Sequence, residues 1–297
     1  AAEAYLVALS LDRENAALHH AAGVALDQSG RSTESLELYN RACLLDPTQA
    51  QYELYAAMAL RRLMRLDEAR ARLDRAAMLS PDEPLVAILR SDVALASDRP
   101  SEALEEAQRA RRLAPGELAA RIAESRALRA LGRHAECAEM LLALPRASRT
   151  NEAIASELAE ALLAIERPKA AALAWEEALS VDSRRWRSAV GAGHAWISAG
   201  DLIRAETFLR HAQGVAPGEP PVEALEERLR AALESGASPV PSGHPSPRDS
   251  AQAKEASQRA PGSPRGSEGL DELAHGLAQR CPTAPAPISG AIDHHRP

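Results

Sequence analysis

The sequence contains very few aromatic residues, which make up 3% of its 297 residues and include only one phenylalanine. A β sandwich usually builds its core from Tyr, Phe, Trp and Thr. A core in this chain must instead come from Leu, Ala, Val and Ile, because apolar residues still account for 45% of the total. The composition therefore favours close-packed helices over a β sandwich.

Long apolar runs and paired cysteines are also missing. No apolar stretch approaches the roughly 18–20 residues of a membrane-spanning helix, so we expect no membrane insertion. Cys43, Cys137 and Cys281 stand far apart, without a C-x-x-C motif, which excludes a disulfide scaffold. The chain starts at Ala1 and no signal-peptide pattern follows, so the sequence leaves the compartment undetermined, with the cytoplasm favoured.

The chain has no excess of positive charge. Its 35 Lys and Arg residues against 42 Asp and Glu give a net charge of −7, so we expect no nucleic-acid partner. Lysine occurs only at Lys169 and Lys254, which is typical of a GC-rich genome, and we expect a bacterial one. The arginines over residues 61–75 alternate with acidic residues and lack stacking aromatics, which indicates a salt-bridged surface.

An internal repeat of 34 residues dominates the sequence. Pro47, Pro81 and Pro115 lie 34 residues apart, and Pro217 lies three further periods along the chain. Small residues precede these turns in the same register, at Ala42, Ala76, Ala110, Ala178 and Ala212. With the turn proline at place 32, six repeats follow one another without an insertion, at 16–49, 50–83, 84–117, 118–151, 152–185 and 186–219.

This 34-residue unit of two helices resembles the tetratricopeptide repeat. A small residue stands at place eight of every repeat, at Gly23, Ala57, Ser91, Ser125, Ala159 and Gly193. Place 24, where the family prefers a bulky side chain, carries Tyr39, Leu73, Ala107, Leu141, Trp175 and Leu209. The resemblance covers about residues 1–235 and implies an all-α fold, a right-handed α-solenoid of antiparallel helix pairs.

The two ends of the chain depart from the repeat. Residues 1–15 match the second helix of a repeat, so we expect a truncated repeat there. Residues 220–235 predict one amphipathic capping helix, with Val222, Leu225, Leu229 and Leu233 on its apolar face. Residues 236–297 consist largely of Ser, Pro, Gly and Ala, which predicts a disordered tail with one short apolar patch at Leu270, Leu273 and Leu277.

The fourth repeat, 118–151, deviates most from the pattern. Pro145 interrupts its second helix and Arg149 replaces the turn proline, which predicts a distortion around 144–151. Glu124 occupies a place that is usually apolar, and Arg90 holds the same place in the preceding repeat. Because an unpaired buried charge is costly, we expect these two residues either to form an ion pair across adjacent first helices or to be exposed.

No motif for catalysis, a cofactor or a metal ion is present. The sequence has no G-x-S-x-G, H-E-x-x-H, G-x-x-x-x-G-K-[ST] or G-x-G-x-x-G. Gly191 and Gly193 resemble the start of a glycine loop but fall within a predicted helix, which favours a packing role. The adjacent histidines at 19–20 point about 100° apart on a helix and cannot easily share a metal. We therefore expect no catalytic site, no cofactor and no metal centre.

In tetratricopeptide repeats the first helices line a concave groove that holds a peptide or a partner's surface. Carried over by register, the resemblance implies groove contacts from His20, Val24, Leu54, Tyr55, Met58, Arg62, Asp92, Arg126, Arg129, Glu157, Glu160 and His194. Tyr55 and Met58 are the sharpest candidates, because aromatic and Met anchors dominate interface energetics. Packing of Tyr55 against the neighbouring helix pair is an equal alternative.

Two known uses of this groove do not fit the sequence. Chaperone-type relatives clamp a carboxylate with Lys at place five and Asn at place nine, and no repeat here carries that combination. The Asn ladder at place six of the sugar-transferase type is absent as well. The resemblance thus implies a scaffold without catalysis that binds a protein or peptide. The alternatives are a recruiting array of a larger kinase, glycosyltransferase or sulfatase that continues upstream of Ala1, and an envelope assembly factor. The oligomeric state stays open.

Overall fold

A computed structural model describes residues 2–236, and every regular element among them is an α-helix. The chain divides into two compact units, of which the first ends at Arg133 and the second begins at His134. The tail expected over 236–297, with its patch at Leu270, Leu273 and Leu277, lies outside the described residues apart from Gly236.

The first unit is built of helices that follow one another in antiparallel pairs. Within the described residues these are α1 (Ala2–Leu11), α2 (Ala16–Gln28), α3 (Ser32–Leu45), α4 (Ala50–Arg62), α5 (Leu66–Leu79), α6 (Pro84–Ala96), α7 (Pro100–Leu113) and α8 (Leu118–Ala130). Each helix packs against the next, and α2, α4, α6 and α8 also contact one another in series. The first helices of successive repeats therefore lie side by side.

The second unit follows the same plan after an irregular start. It contains α9 (His134–Leu142), α10 (Arg146–Arg149), α11 (Glu152–Ala164), α12 (Pro168–Leu179), α13 (Trp186–Ser198), α14 (Leu202–Val215) and α15 (Pro220–Glu234). Here α11, α13 and α15 contact one another in series. Helix α15 buries Val222, Leu225 and Leu229, whereas Leu233, one turn further along the same face, is 60% exposed. The all-α fold expected from the sequence is confirmed.

Small residues explain how a chain with few aromatics fills its core. The alanines that precede each turn, Ala42, Ala76, Ala110, Ala178 and Ala212, are all fully buried. Each allows the backbone of a second helix to approach its neighbours closely. Fewer large side chains are then needed to fill the space between helices, and Tyr39, Leu73 and Leu141 do so without any exposed surface.

Every first helix of the six repeats ends in the same backbone turn. Place 15 has a positive φ in all of them, at Gly30, Met64, Asp98, Gly132, Glu166 and Gly200. The following amide bonds back into the helix, as from Arg31 N to Leu26 O and from Arg65 N to Leu60 O. Glycine adopts this conformation without strain, whereas Met64, Asp98 and Glu166 hold it because the repeat requires it.

Replacing Met64 by glycine should therefore stabilise the protein. Met64 has a φ of 58° and its side chain is 67% exposed, so the change relieves strain and removes little packing. A left-handed backbone costs an L-residue about 1–2 kcal/mol, and the greater freedom of glycine in the unfolded chain offsets part of the gain. We expect a net increase of about 0.5 kcal/mol in urea unfolding. The matched change Gly30→Ala should have the opposite sign.

The fourth repeat contains a break where the sequence places Pro145. Helix α9 ends at Leu142, and the four-residue α10 follows before α11 begins. Arg149, which stands in place of the turn proline, folds back and donates hydrogen bonds to the carbonyl oxygens of Leu142 and Leu144, at 3.1 and 2.8 Å. Its guanidinium thus satisfies backbone acceptors that the shortened helix leaves open.

The expected ion pair between Arg90 and Glu124 is not the one that forms. Arg90 binds Asp74 at 2.6 Å and Glu106 at 3.4 Å, both on second helices of the first unit. Glu124 instead lies 2.9 Å from Arg111. The register argument paired residues on neighbouring first helices, but long arginine side chains reach the second helices as easily.

Candidate functional site

Helices α2, α3 and α4 place an aromatic cluster on the first unit, consisting of His20 on α2, Tyr39 on α3, and Tyr52 and Tyr55 on α4. The ring centroids of His20 and Tyr55 lie 4.6 Å apart in an edge-to-face arrangement, and those of His20 and Tyr52 lie 5.2 Å apart. Tyr39 lies 5.7 Å from Tyr55 and is fully buried beneath it. Three of the chain's four tyrosines therefore meet at this point.

His20 and Tyr55 of this cluster, together with Val24 of α2 and Met58 and Arg62 of α4, form what we call the first-helix face. Val24, Tyr55 and Met58 pack on the buried core of the first unit and remain half-buried, as does His20. Tyr55 thus packs against its neighbours and also keeps part of its ring accessible. The packing alternative weighed from the sequence is therefore observed, and a contact of Tyr55 with a ligand stays a prediction.

A charged pair borders the first-helix face. Arg62 of α4 forms an ion pair with Asp27 of α2, whose carboxylate is 9% exposed while the guanidinium is 42% exposed. Burial, together with the charge of Asp27, raises the pKa of Tyr39 well above its ordinary value. The Tyr39 hydroxyl therefore stays protonated at any physiological pH. The face combines apolar and aromatic surface with one partly exposed cation.

His20 is held in its neutral form by the same burial. Its pKa lies below the ordinary value because the ring is withdrawn from water among the three tyrosines. Within the described residues, its buried Nε2 atom has no hydrogen-bond partner. In the second unit the pKa of His194 is lowered as well, by burial and by the nearby Arg228.

These two histidines predict a loss of stability on acidification. In the unfolded chain a histidine titrates near pH 6.5. As the pH falls below this value the unfolded state takes up protons first, so the free energy of unfolding should decrease until the folded pKa values are passed. Urea melts between pH 7.5 and 5.5 should show this slope, and the variant His20→Gln/His194→Gln should show a clearly smaller one. An unchanged slope in the variant would contradict the assignment.

The remaining candidates in the first unit differ in accessibility. Leu54 is only 5% exposed, so it belongs to the core, which corrects its assignment to the groove. Leu54 and Tyr55 are consecutive residues, so their side chains leave the helix about 100° apart, and that of Leu54 is the one turned toward the core. Asp92 on α6 is half-buried and lies 3.9 Å from Arg126 on α8, and Arg129 on α8 is half-buried.

In the second unit the candidates lie on α11 and α13. Glu157 on α11 is only 7% exposed, so its assignment to the groove from the register is corrected as well. Glu160 is exposed and accepts a hydrogen bond from Ser156, and His194 on α13 is half-buried beside Arg228.

Sequence reasoning missed two members of the first-unit site. Tyr52 contacts His20 although it stands outside the places assigned to the groove. Asp27 stands at place 12, one of the register places assigned to the groove, and forms an ion pair with Arg62. It is not among the candidate residues predicted from the sequence. A comparison of places 12 and 13 in adjacent repeats would have shown this opposite charge.

The glycines of the fragment 191–193 serve packing. A Cβ atom on Gly191 would lie 2.5 Å from the ring of Trp175, and one on Gly193 would lie 2.7 Å from Leu225. Both positions are therefore filled by neighbouring side chains, which leaves no cradle for a phosphate. Cys43 is buried, and burial raises the pKa of its thiol to about 11, so it is a poor nucleophile at neutral pH.

The described part of the chain contains neither a metal-binding cluster nor a membrane-spanning helix. Across residues 2–236, no three His, Cys, Asp or Glu side chains are grouped so that they could hold a metal ion. No helix of this described part has the length and apolar character needed to cross a bilayer.

Comparisons with known proteins identify the fold. No protein-family model and no curated protein matches the sequence. Among solved structures, a tetratricopeptide repeat protein from Parabacteroides merdae is similar to this chain with a TM-score of 0.59 and 14% identity, over 78% of this chain and 91% of that one. The chain has the tetratricopeptide-repeat fold.

Further structures support this tetratricopeptide-repeat assignment. PilW, a type IV pilus biogenesis factor, has a TM-score of 0.59 at 14% identity and covers 71% of this chain and 98% of its own. PilF of Pseudomonas aeruginosa has a TM-score of 0.55 at 15% identity, over 71% of this chain and 96% of that one. At these identities the likeness establishes the fold alone.

Proposed function

We propose that this tetratricopeptide-repeat protein is a non-catalytic interaction protein that binds an apolar peptide segment of a partner on its first-helix face. One observation carries the proposal, namely that the half-buried Val24, Tyr55 and Met58 of α2 and α4 pack on the same buried core, with His20 in edge-to-face contact with Tyr55. Aromatic and Met side chains that are already packed on one side lose little conformational freedom when a ligand covers the other.

The chemistry of this face specifies the kind of peptide. Tyr55 and Met58 offer flat and adaptable apolar contacts, which suit an aliphatic or aromatic side chain. Arg62 is 42% exposed although it is paired with Asp27, so its outer edge can meet a carboxylate or a backbone carbonyl of the ligand. We therefore infer a segment with one or two large apolar residues flanked by an acidic or carbonyl group.

A peptide-display selection on the full chain tests this proposal. We expect selected peptides to share large apolar residues and the tightest of them to lose about 30-fold or more in affinity when Tyr55→Ala and Met58→Ala are combined, because each anchor contributes more than about 1 kcal/mol. Met58→Ala alone should weaken binding less, with unchanged helicity in circular dichroism.

The matched control is Met78→Ala, which removes a methionine that is 75% exposed on a second helix. It should leave the affinity for the selected peptide unchanged. An equal loss of affinity in Tyr55→Ala/Met58→Ala and in Met78→Ala, or no loss of affinity in either, would place the peptide elsewhere and contradict the proposal.

A further inference from the structure

A cavity of about 470 Å³ opens between second helices α3 and α5, and none of the residues of the first-helix face lines it. Its walls are formed by Asn40, Cys43, Leu44, Pro47, Glu53, Arg72, Arg75, Met78 and Leu79. We call this space the outer cavity. Its volume falls in the range of about 300–1,000 Å³ that is usual for small-molecule sites.

The mouth of the outer cavity is apolar and exposed. Leu44 and Met78 are 74% and 75% exposed, and Leu79 is 40% exposed. Leu44 and Met78 both stand at place 29 of their repeats. The other four repeats carry small or charged residues there, namely Arg112, Arg146, Ser180 and Gly214. Large apolar side chains at this outer place thus occur only where they border the cavity.

In two other repeats the residue at place 26 contacts the turn of the preceding repeat. Arg109 donates a hydrogen bond to the carbonyl oxygen of Pro81 at 3.0 Å, which joins its helix to the turn of the preceding repeat. His211 lies 2.7 Å from the carbonyl oxygen of Ser183 in the same relation. Arg75 occupies this place at the outer cavity, but its Nη1 lies 3.9 Å from Glu53 Oε1 instead.

Glu53 explains why this gap stays open. It stands at place four, where the repeats of Arg109 and His211 carry Ala87 and Ala189. Its carboxylate is 9% exposed and draws the arginines inward.

Only one of the two arginines is fully engaged. Arg72 donates to Glu53 at 2.9 Å and to Asn40 at 2.6 Å, so its charge is compensated. Among residues 2–236, the only ion pair of Arg75 is the long contact to Glu53, and its side chain is 57% exposed. Two arginines against one glutamate give the lining one net positive charge. The cavity therefore combines a single available cation with an apolar mouth.

We propose that the outer cavity binds a small amphiphilic carboxylate, with the carboxylate on Arg75 and the alkyl or aryl body against Leu44, Met78 and Leu79. A guanidinium matches a carboxylate through two parallel hydrogen bonds. The apolar body covers side chains that otherwise face water. The residues assigned to the ligand, Arg75, Leu44, Met78 and Leu79, all lie on second helices, and the site is independent of peptide binding at the first-helix face.

Calorimetric titration of the full chain with octanoate tests the site. We expect saturable binding of one octanoate per chain, at least fivefold weaker binding of octanol and octylammonium, and none of acetate, which lacks the apolar body. Arg75→Gln should weaken octanoate binding at least fivefold. Leu44→Ser/Met78→Ser should weaken it equally, because it removes the apolar side chains at the mouth of the cavity.

Two controls match these variants in exposure. Arg41→Gln changes an exposed arginine at the same place 26 of the preceding repeat, and Ile203→Ser removes an apolar side chain that is 71% exposed on α14. Both should leave octanoate binding unchanged.

Several results would overturn the proposal. These are absence of saturable binding up to 10 mM octanoate, equal binding of octylammonium, an unchanged affinity in both cavity variants, or an equal loss in the controls.

Discussion

Replacing Arg149 with alanine is expected to lower the free energy of unfolding by about 3 kcal/mol, because it leaves a buried carboxylate with half of its partners. Arg149 Nε and Nη2 lie 3.1 and 3.2 Å from the two oxygens of Glu177, whose side chain is only 5% exposed. Arg146 stays in place at 3.0 Å, which keeps the loss at the lower end of the usual range. Urea unfolding followed by circular dichroism measures the effect.

Two further variants separate the buried pair from arginine loss in general. Arg210→Ala removes an exposed partner of Glu206 at 3.0 Å and should cost less than about 1 kcal/mol. Arg149→Leu/Glu177→Leu should be less destabilised than Arg149→Ala, because no unpaired charge is then left inside. A loss from Arg149→Ala no greater than that from Arg210→Ala would show that the bidentate contact does not hold the break in the fourth repeat.

Gly23→Ala is expected to destabilise the protein by about 1–3 kcal/mol, the usual cost of overpacking a core. A Cβ atom on Gly23 would lie 2.6 and 2.8 Å from two ring carbons of Tyr39. The Tyr39 ring is fully buried and touches His20 and Tyr55, so it cannot move aside freely. The same substitution therefore also disturbs the aromatic cluster under the first-helix face.

A second background isolates the clash with Tyr39. When Tyr39→Leu is already present, adding Gly23→Ala should be neutral or stabilising, since glycine inside a helix is about 0.5–1 kcal/mol worse than alanine. Gly214→Ala on α14 has nothing within 4 Å of its new Cβ and should leave stability unchanged or raise it. Equal destabilisation by Gly23→Ala in both backgrounds would contradict this explanation.

The fold was predictable because the same places in every repeat must meet the same packing and backbone requirements. Helices α3, α5, α7 and α14 end at Leu45, Leu79, Leu113 and Val215, each two residues before a turn proline. Gly30, Gly132 and Gly200 show which place needs a positive φ, and the same place keeps that conformation in the repeats that lack glycine. The tetratricopeptide-repeat resemblance follows from this agreement.

The site was less predictable because register gives the face of a helix but not the reach of a side chain. Leu54 and Tyr55 are neighbours in sequence, yet one is core and the other remains half-buried. Arg90 prefers acidic residues on second helices, and Arg149 satisfies carbonyls left by a shortened helix. At the outer cavity, Arg75 contacts Glu53 instead of the turn of the preceding repeat. The repeat pattern does not include this contact.

Photo-crosslinking of the display-selected peptide tests the central claim most directly. Benzoylphenylalanine is placed at position 58 on the first-helix face in one protein and at position 78 on second helix α5 in another. We predict a crosslink from position 58 that excess unlabelled peptide abolishes, and none from position 78. A crosslink from position 78 alone, or from both positions equally, would contradict binding on the first-helix face.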